Sequence, residues 1–134
     1  MNNFLSPIPI RQNSGIALVR IVIGAFLIYH GIEIFDATKM QEYLKWDEFK
    51  SSPFLPYLGK GAEFAAGVLL LPGLLTRVAS LIMICTFIYI TFFVGKGDFW
   101  MNDQYPFLFA MFGFVFLFTG PGNLALDKII FKSK

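Results

Sequence analysis

Five ionisable side chains fall inside or at the ends of long apolar runs: Arg20, His30 and Glu33 in the first run, Lys60 and Glu63 in the second. In hydrocarbon a central arginine, lysine or aspartate costs roughly 2.5–3.5 kcal/mol, so such groups pair with one another or line a polar cavity. Two antiparallel helices place residues at one depth when their numbers add to a constant, because each residue rises by the same increment. That rule levels His30 with Glu63 and Glu33 with Lys60. The two rungs are three residues apart on each helix and share a face. They predict a buried polar cluster of His30, Glu33, Lys60 and Glu63. Two roles are open to it. Buried charge pairs can fix helix register without chemistry. Intramembrane ionisable groups also mark proton or small-molecule sites, with Glu63 and His30 the residues best placed for that work.

Arg20 lies deeper, toward the opposite end of the first run, level with Gly120-Pro121-Gly122. A helix broken there frees backbone carbonyls that a guanidinium can satisfy, and Asp127 is the other available acceptor. Arg20 and Asp127 are thus expected as structural charges. Other chemistries are excluded by residue count. Cys85 is the single cysteine and sits in an apolar run, which rules out intrachain disulfides, CxxC redox chemistry and cysteine metal sites and leaves it a packing role. His30 is the single histidine, so a bis-histidine haem cannot be built by this chain alone. No metal site is expected. No cofactor is expected to be held by the chain on its own; the aromatic side chains of the last two helices could line a quinone or lipid pocket, with ordinary lipid-facing packing the other reading.

Long helices must position these groups. Of 134 residues, 56% are hydrophobic, 15% are charged and 17 are phenylalanine, against roughly 45–50% apolar and about 25% charged in soluble domains. The charges cluster between apolar runs, as in a membrane domain. A net charge of +2 gives no basic face for nucleic acid. A spanning helix needs about 20 mainly apolar residues. The chain therefore reads as a single all-α transmembrane domain over residues 1–134, an integral membrane four-helix bundle with helices near 14–35, 57–75, 77–94 and 105–119. The first run lacks a cleavage site and is expected to be retained as a helix. Leu71-Pro72-Gly73 makes the second and third helices antiparallel neighbours. Gly24 and Gly31 on the Arg20 stripe, and Gly67 on the Glu63 face, allow close approach of backbones.

The segment Asp36 to Pro56 is expected at the interface, with Met40, Tyr43 and Leu44 on one face and Trp46 and Phe49 elsewhere. Trp100 suits headgroup level. The phenylalanines of the last two helices cover several faces, the pattern of packing against both lipid and protein. Lysines and arginines divide between the two ends as Arg11, Arg77, Lys128, Lys132 and Lys134 against Lys39, Lys45, Lys50 and Lys96, which leans toward cytoplasmic termini.

Three pieces together resemble the DoxX family of small four-helix membrane proteins. They are Arg20 with Gly24 and His30-Gly31; Glu63-Phe64 with Gly67 and Gly73-Leu74-Leu75-Thr76-Arg77; and Gly120-Pro121-Gly122 before Leu126-Asp127. The chain departs from the family in two places. Asp103-Gln104-Tyr105-Pro106 stands where an acidic residue often enters the fourth helix, and the segment Asp36 to Pro56 is longer than a minimal member needs. The resemblance implies a prokaryotic plasma (inner) membrane protein, with name-giving members linked to thiosulfate:quinone oxidoreductase activity. Eukaryotic relatives resemble receptors or chaperones. The leading expectation is an accessory subunit of a quinone-linked redox or respiratory assembly, not catalytic alone. The alternative is a scaffold or assembly factor, and a small transporter ranks behind both. Expected partners are membrane lipid and a larger membrane protein complex or further copies of the chain.

Overall fold

The long apolar runs fold as helices, and the breaks between them fall at segments rich in glycine, proline or charge. The computed structural model describes residues 5–46, 53–95, 97–98 and 100–130. Among the described residues there are six α-helices and no strand. They are α1 (Gln12–Gly31), α2 (Ala37–Leu44), α3 (Phe54–Leu70), α4 (Thr76–Tyr89), α5 (Gln104–Thr119) and α6 (Leu126–Ile130). A 3₁₀ turn, Ile32–Phe35, extends α1, and a π-helical turn, Ile90–Val94, extends α4. Two continuous stretches, Gln12–Phe35 and Thr76–Val94, are long and apolar enough to cross a membrane, and Gln104–Thr119 is a shorter apolar helix.

The helix expected near 57–75 starts and stops earlier, at Phe54 and Leu70. Its end is a Schellman turn: Leu74 N–H donates to Leu69 O, Gly73 N–H donates to Leu70 O, and Gly73 takes φ 74°. That left-handed position suits glycine, and it reverses the chain so that α4 runs back along α3. Helix α2 begins where Asp36 accepts from Thr38 N at 3.1 Å and Lys39 N at 3.3 Å, a side-chain cap. Within the segment expected at the interface, Phe49 lies outside the described residues.

Helix α1 lies along α3, α3 along α4, and α4 along α5, with a smaller contact closing α1 onto α5. The core takes Ile23 and Leu27 from α1, Ala66 and Leu70 from α3, Ala79, Met83 and Phe87 from α4, and Ala110 and Phe116 from α5. Phe87 stacks on Phe109 inside it. At the α1–α3 seam the backbones nearly touch: a Cβ on Gly31 would collide with the Phe64 backbone, and one on Gly67 would sit 2.7 Å from Ile28 N. Large apolar side chains, among them Leu18, Phe26, Leu81 and Phe118, point outward and stay exposed.

This seam sets the depth of every charged side chain. Gly31 abuts Phe64, whereas levelling His30 with Glu63 requires Gly31 to meet Ala62. The real register is therefore displaced from the simple one, with different consequences for short and long side chains.

Candidate functional site

The polar groups gather at two ends of the bundle. At the end nearer the termini, Arg20 is fully buried on the stripe of α1 that also carries Gly24, Leu27 and Gly31. Its Nη1 donates to Pro121 O at 2.7 Å and Asn123 O at 3.3 Å, and Nη2 donates to Leu124 O at 2.9 Å. Nε is buried without a hydrogen-bond partner among the described residues. The freed carbonyls after Gly120-Pro121-Gly122 thus meet the arginine as expected.

Asp127 does something other than accept from Arg20. Its carboxylate accepts from Leu75 N at 2.6 Å and Thr76 N at 2.8 Å, capping the start of α4 from a distant part of the chain. The reason lies in the chain path. Leu126 N bonds Pro72 O and Asp127 N bonds Gly73 O, which lays α6 against the α3–α4 turn. There the open N–H groups and positive dipole end of α4 attract the carboxylate.

At the other end, Glu33 sits on the 3₁₀ turn after α1, and Lys60 and Glu63 lie one turn apart on α3. Lys60 Nζ lies 3.1 Å from Glu33 Oε2 and 3.4 Å from Glu63 Oε2. The ammonium also stands 5.1 Å from the centre of the Tyr43 ring. Tyr43 O–H donates to Glu33 Oε2 at 2.6 Å. Burial first, and then this hydrogen bond to Glu33, hold the Tyr43 phenol above its ordinary pKa, so it keeps its proton and remains a donor. Lys39 approaches the other Glu33 oxygen at 3.6 Å from an exposed position.

His30 does not join this cluster. It is exposed and meets the Tyr29 ring edge-on. The displaced register is one reason. The other is angular: on a 3.6-residue helix, the stripe that buries Leu27 and Gly31 turns His30 outward. Lys60 reaches Glu33 across the same displacement because its four-carbon stem is long and flexible. Tyr43 takes the fourth place. Its position on the apolar face of α2, one turn beyond the buried Met40, is the signal that directs its hydroxyl inward.

A cavity of about 670 Å³ opens beside the cluster, between α3 and α4. Tyr43, Trp46, Lys60 and Glu63 line one side, and Leu81, Cys85, Thr86 and Tyr89 line the other. Trp46 packs edge-on against Tyr43 at 5.0 Å, so both rings belong to the same wall. Glu63 is 6% exposed. Its Oε2 meets Lys60, while Oε1 has no hydrogen-bond partner among the described residues. The π-helical turn adds Ile90 and Val94 to the far wall. Thr91 donates from Oγ1 to Phe87 O there, and Gly95 N donates to Ile90 O, the wide spacing of a π turn. Among the described residues no group of three or more metal-ligating side chains forms. Asp103, at the entrance to α5, accepts from Asp98 N at 3.0 Å and so shapes the α4–α5 turn.

Residues 15–96 match the DoxX family, a span that includes nearly all of α1, α3 and α4 and every residue of the second polar cluster. Over 122 residues the chain is 29% identical to a Bacillus subtilis (strain 168) protein described as "Putative oxidoreductase CatD", with 90% of each chain covered. No solved structure matches it. Gly120-Pro121-Gly122 and Asp127 lie beyond the matched residues. With the match covering more than half its length, the chain belongs to the DoxX family.

Proposed function

We propose that the chain is an integral membrane four-helix bundle of a prokaryotic plasma membrane, with both termini cytoplasmic, and that it serves as an accessory subunit of a quinone-linked redox or respiratory assembly. The four helices are α1, α3, α4 and α5. At 17 and 16 residues, α3 and α5 are each about 25 Å long, and their flanking turns complete a crossing of the roughly 30 Å hydrocarbon layer. Outward-facing apolar side chains suit lipid. The excess of basic residues at the end with Arg11, Arg77 and Lys128 supports the orientation. In that frame the second polar cluster lies toward the non-cytoplasmic side.

The observation that carries the reading is the apolar cavity with Lys60, Glu63 and Tyr43 at its edge. An apolar pocket of this size with a few converging polar groups is the usual form of a small-molecule site. A quinone-class ligand would stand with its ring at the polar edge and its tail along α4, held there in the reduced, hydroxyl-bearing form. The Bacillus relative described as an oxidoreductase supports a redox setting. The chain supplies a binding surface and a carboxyl group, and its partners supply electron transfer.

The test is purification from native membranes in mild detergent, with mass spectrometry of bound proteins and lipids and an absorption spectrum of the same sample. Stoichiometric redox subunits or bound quinone support the proposal. A stoichiometric partner without redox cofactors replaces it with the scaffold. Glu63→Gln is expected to abolish quinone-dependent electron transfer in that complex and leave the folded yield intact. Loss of folded protein would instead assign Glu63 to helix register.

A further inference from the structure

The hydrogen atoms of Lys60 and Tyr43, at the polar edge of the cavity, are already engaged. Lys60 directs its ammonium at Glu33, Glu63 and the Tyr43 ring. Tyr43 gives its hydroxyl hydrogen to Glu33. What remains at this edge is acceptor capacity: Tyr43 and Glu63 line the cavity, the Tyr43 oxygen keeps lone pairs, and Glu63, a carboxyl group more than nine-tenths buried, has Oε1 without a hydrogen-bond partner among the described residues. Across the cavity on α4, Thr86, Cys85 and Tyr89 can either donate or accept. Charge adds a second constraint. Lys60 stands between Glu33 and Glu63, so no unmatched cation awaits an anionic headgroup. Access adds a third. Leu58, Leu81 and Tyr89 line the cavity and are themselves exposed, so its mouth lies on an apolar outer face, and Tyr43 of α2 and Trp46 of the turn after it cover the polar edge.

We infer that the cavity takes a neutral, hydroxyl-bearing amphiphile from within the bilayer, its O–H donating to Glu63 Oε1 and its tail lying along α4. This rests on the cavity's being the ligand site of the proposed function, and it adds a rule of selection: a donor is required, and charged headgroups are refused. An acceptor left buried and unpaired by a ligand without O–H is the source of the discrimination.

Trp46 reports on occupancy because it lines the cavity. Trp100 lies in the α4–α5 connection, and Trp100→Phe makes Trp46 the single tryptophan of the chain. The full-length chain carrying this change, in lipid nanodiscs, is titrated with a bromine-labelled medium-chain alkyl hydroquinone and with its dimethyl ether, which has the same ring and tail but no donor. Saturable quenching by the hydroquinone, and binding of the ether weaker by about tenfold, is the expected result. Glu63→Leu in the same background brings the hydroquinone down to the ether and leaves the ether unchanged.

Equal binding of hydroquinone and ether to the chain with native Glu63 overturns the donor rule and needs no further variant. Tighter binding of a bromine-labelled alkyl carboxylate or alkylamine overturns the charge argument. Either failure leaves the cavity standing as a ligand site. The absence of saturable quenching by any probe removes the cavity's role as well, and the purification experiment then decides separately whether the chain belongs to a redox assembly.

Discussion

The Arg20 end and the Lys60 end of the bundle hold buried charge in different ways. Around Arg20 the side chains bind backbone: the guanidinium holds the carbonyls of Pro121, Asn123 and Leu124, and Asp127 holds the N–H groups of Leu75 and Thr76. Around Lys60 the side chains bind one another, and Glu63 lines a cavity with one carboxyl oxygen unbonded among the described residues. A charge surrounded by backbone fixes the chain's path. A charge surrounded by side chains, with one valence open, can exchange a partner for a ligand. The same class of residue therefore works as a fastener at one end and as a candidate site at the other.

That contrast breaks most readily at Arg20. Arg20→Leu removes a fully buried guanidinium and with it the donors to three loop carbonyls. A hydrogen bond to a charged group is worth about 1.5–3 kcal/mol, so a loss of about 3 kcal/mol or more is expected for the three together. Reduced monodisperse yield and a lowered thermal midpoint in detergent are the readouts. A variant as stable as the unmodified chain would show that the loop holds itself and that Arg20 is no fastener.

Asp127 gives the next effect in size. Asp127→Ala leaves the first N–H groups of α4 uncapped, a loss of about 1 kcal/mol, typical of helix caps. The thermal midpoint should fall clearly less than for Arg20→Leu. An equal fall would mean that Asp127 acts chiefly as the counter-ion of Arg20, and the distinction between backbone-binding and ion-pairing ends would lose its basis.

Both ends are partly legible in the sequence alone. The break at Gly120-Pro121-Gly122 pointed to carbonyls for Arg20, because a guanidinium within an apolar helix must find acceptors at its own depth. Glu33 with Lys60 followed from helix rise and the cost of lone charges. The place of Asp127 did not follow, since it depends on how the chain after the break folds back over Pro72 and Gly73, a long-range path without local periodicity. Levelling residues by depth alone also misplaced His30. Depth ignores angle, and the stripe of Arg20, Gly24 and Gly31 already excluded His30 from the face toward α3. Tyr43 was visible as one of the apolar residues of α2, but its hydroxyl finds Glu33 only because the turn at Asp36 folds α2 back toward α3. The cavity was not legible, because it arises from the spacing between α3 and α4 and not from any residue pattern.

His30 should give the smallest effect, and it sharpens the comparison from the other side. It lies near the second centre in sequence, three residues before Glu33, yet its ring is exposed and touches Tyr29 instead of the cluster. Exposed substitutions away from packed or bonded groups usually stay within about 0.5 kcal/mol. His30→Ala should therefore leave the thermal midpoint nearly unchanged and leave hydroquinone quenching of Trp46 at full strength, where Glu63→Leu removes most of it. A loss of binding in His30→Ala equal to that in Glu63→Leu would show that the imidazole reaches the cavity in the membrane. The polar cluster would then have to be redrawn with His30 as a member.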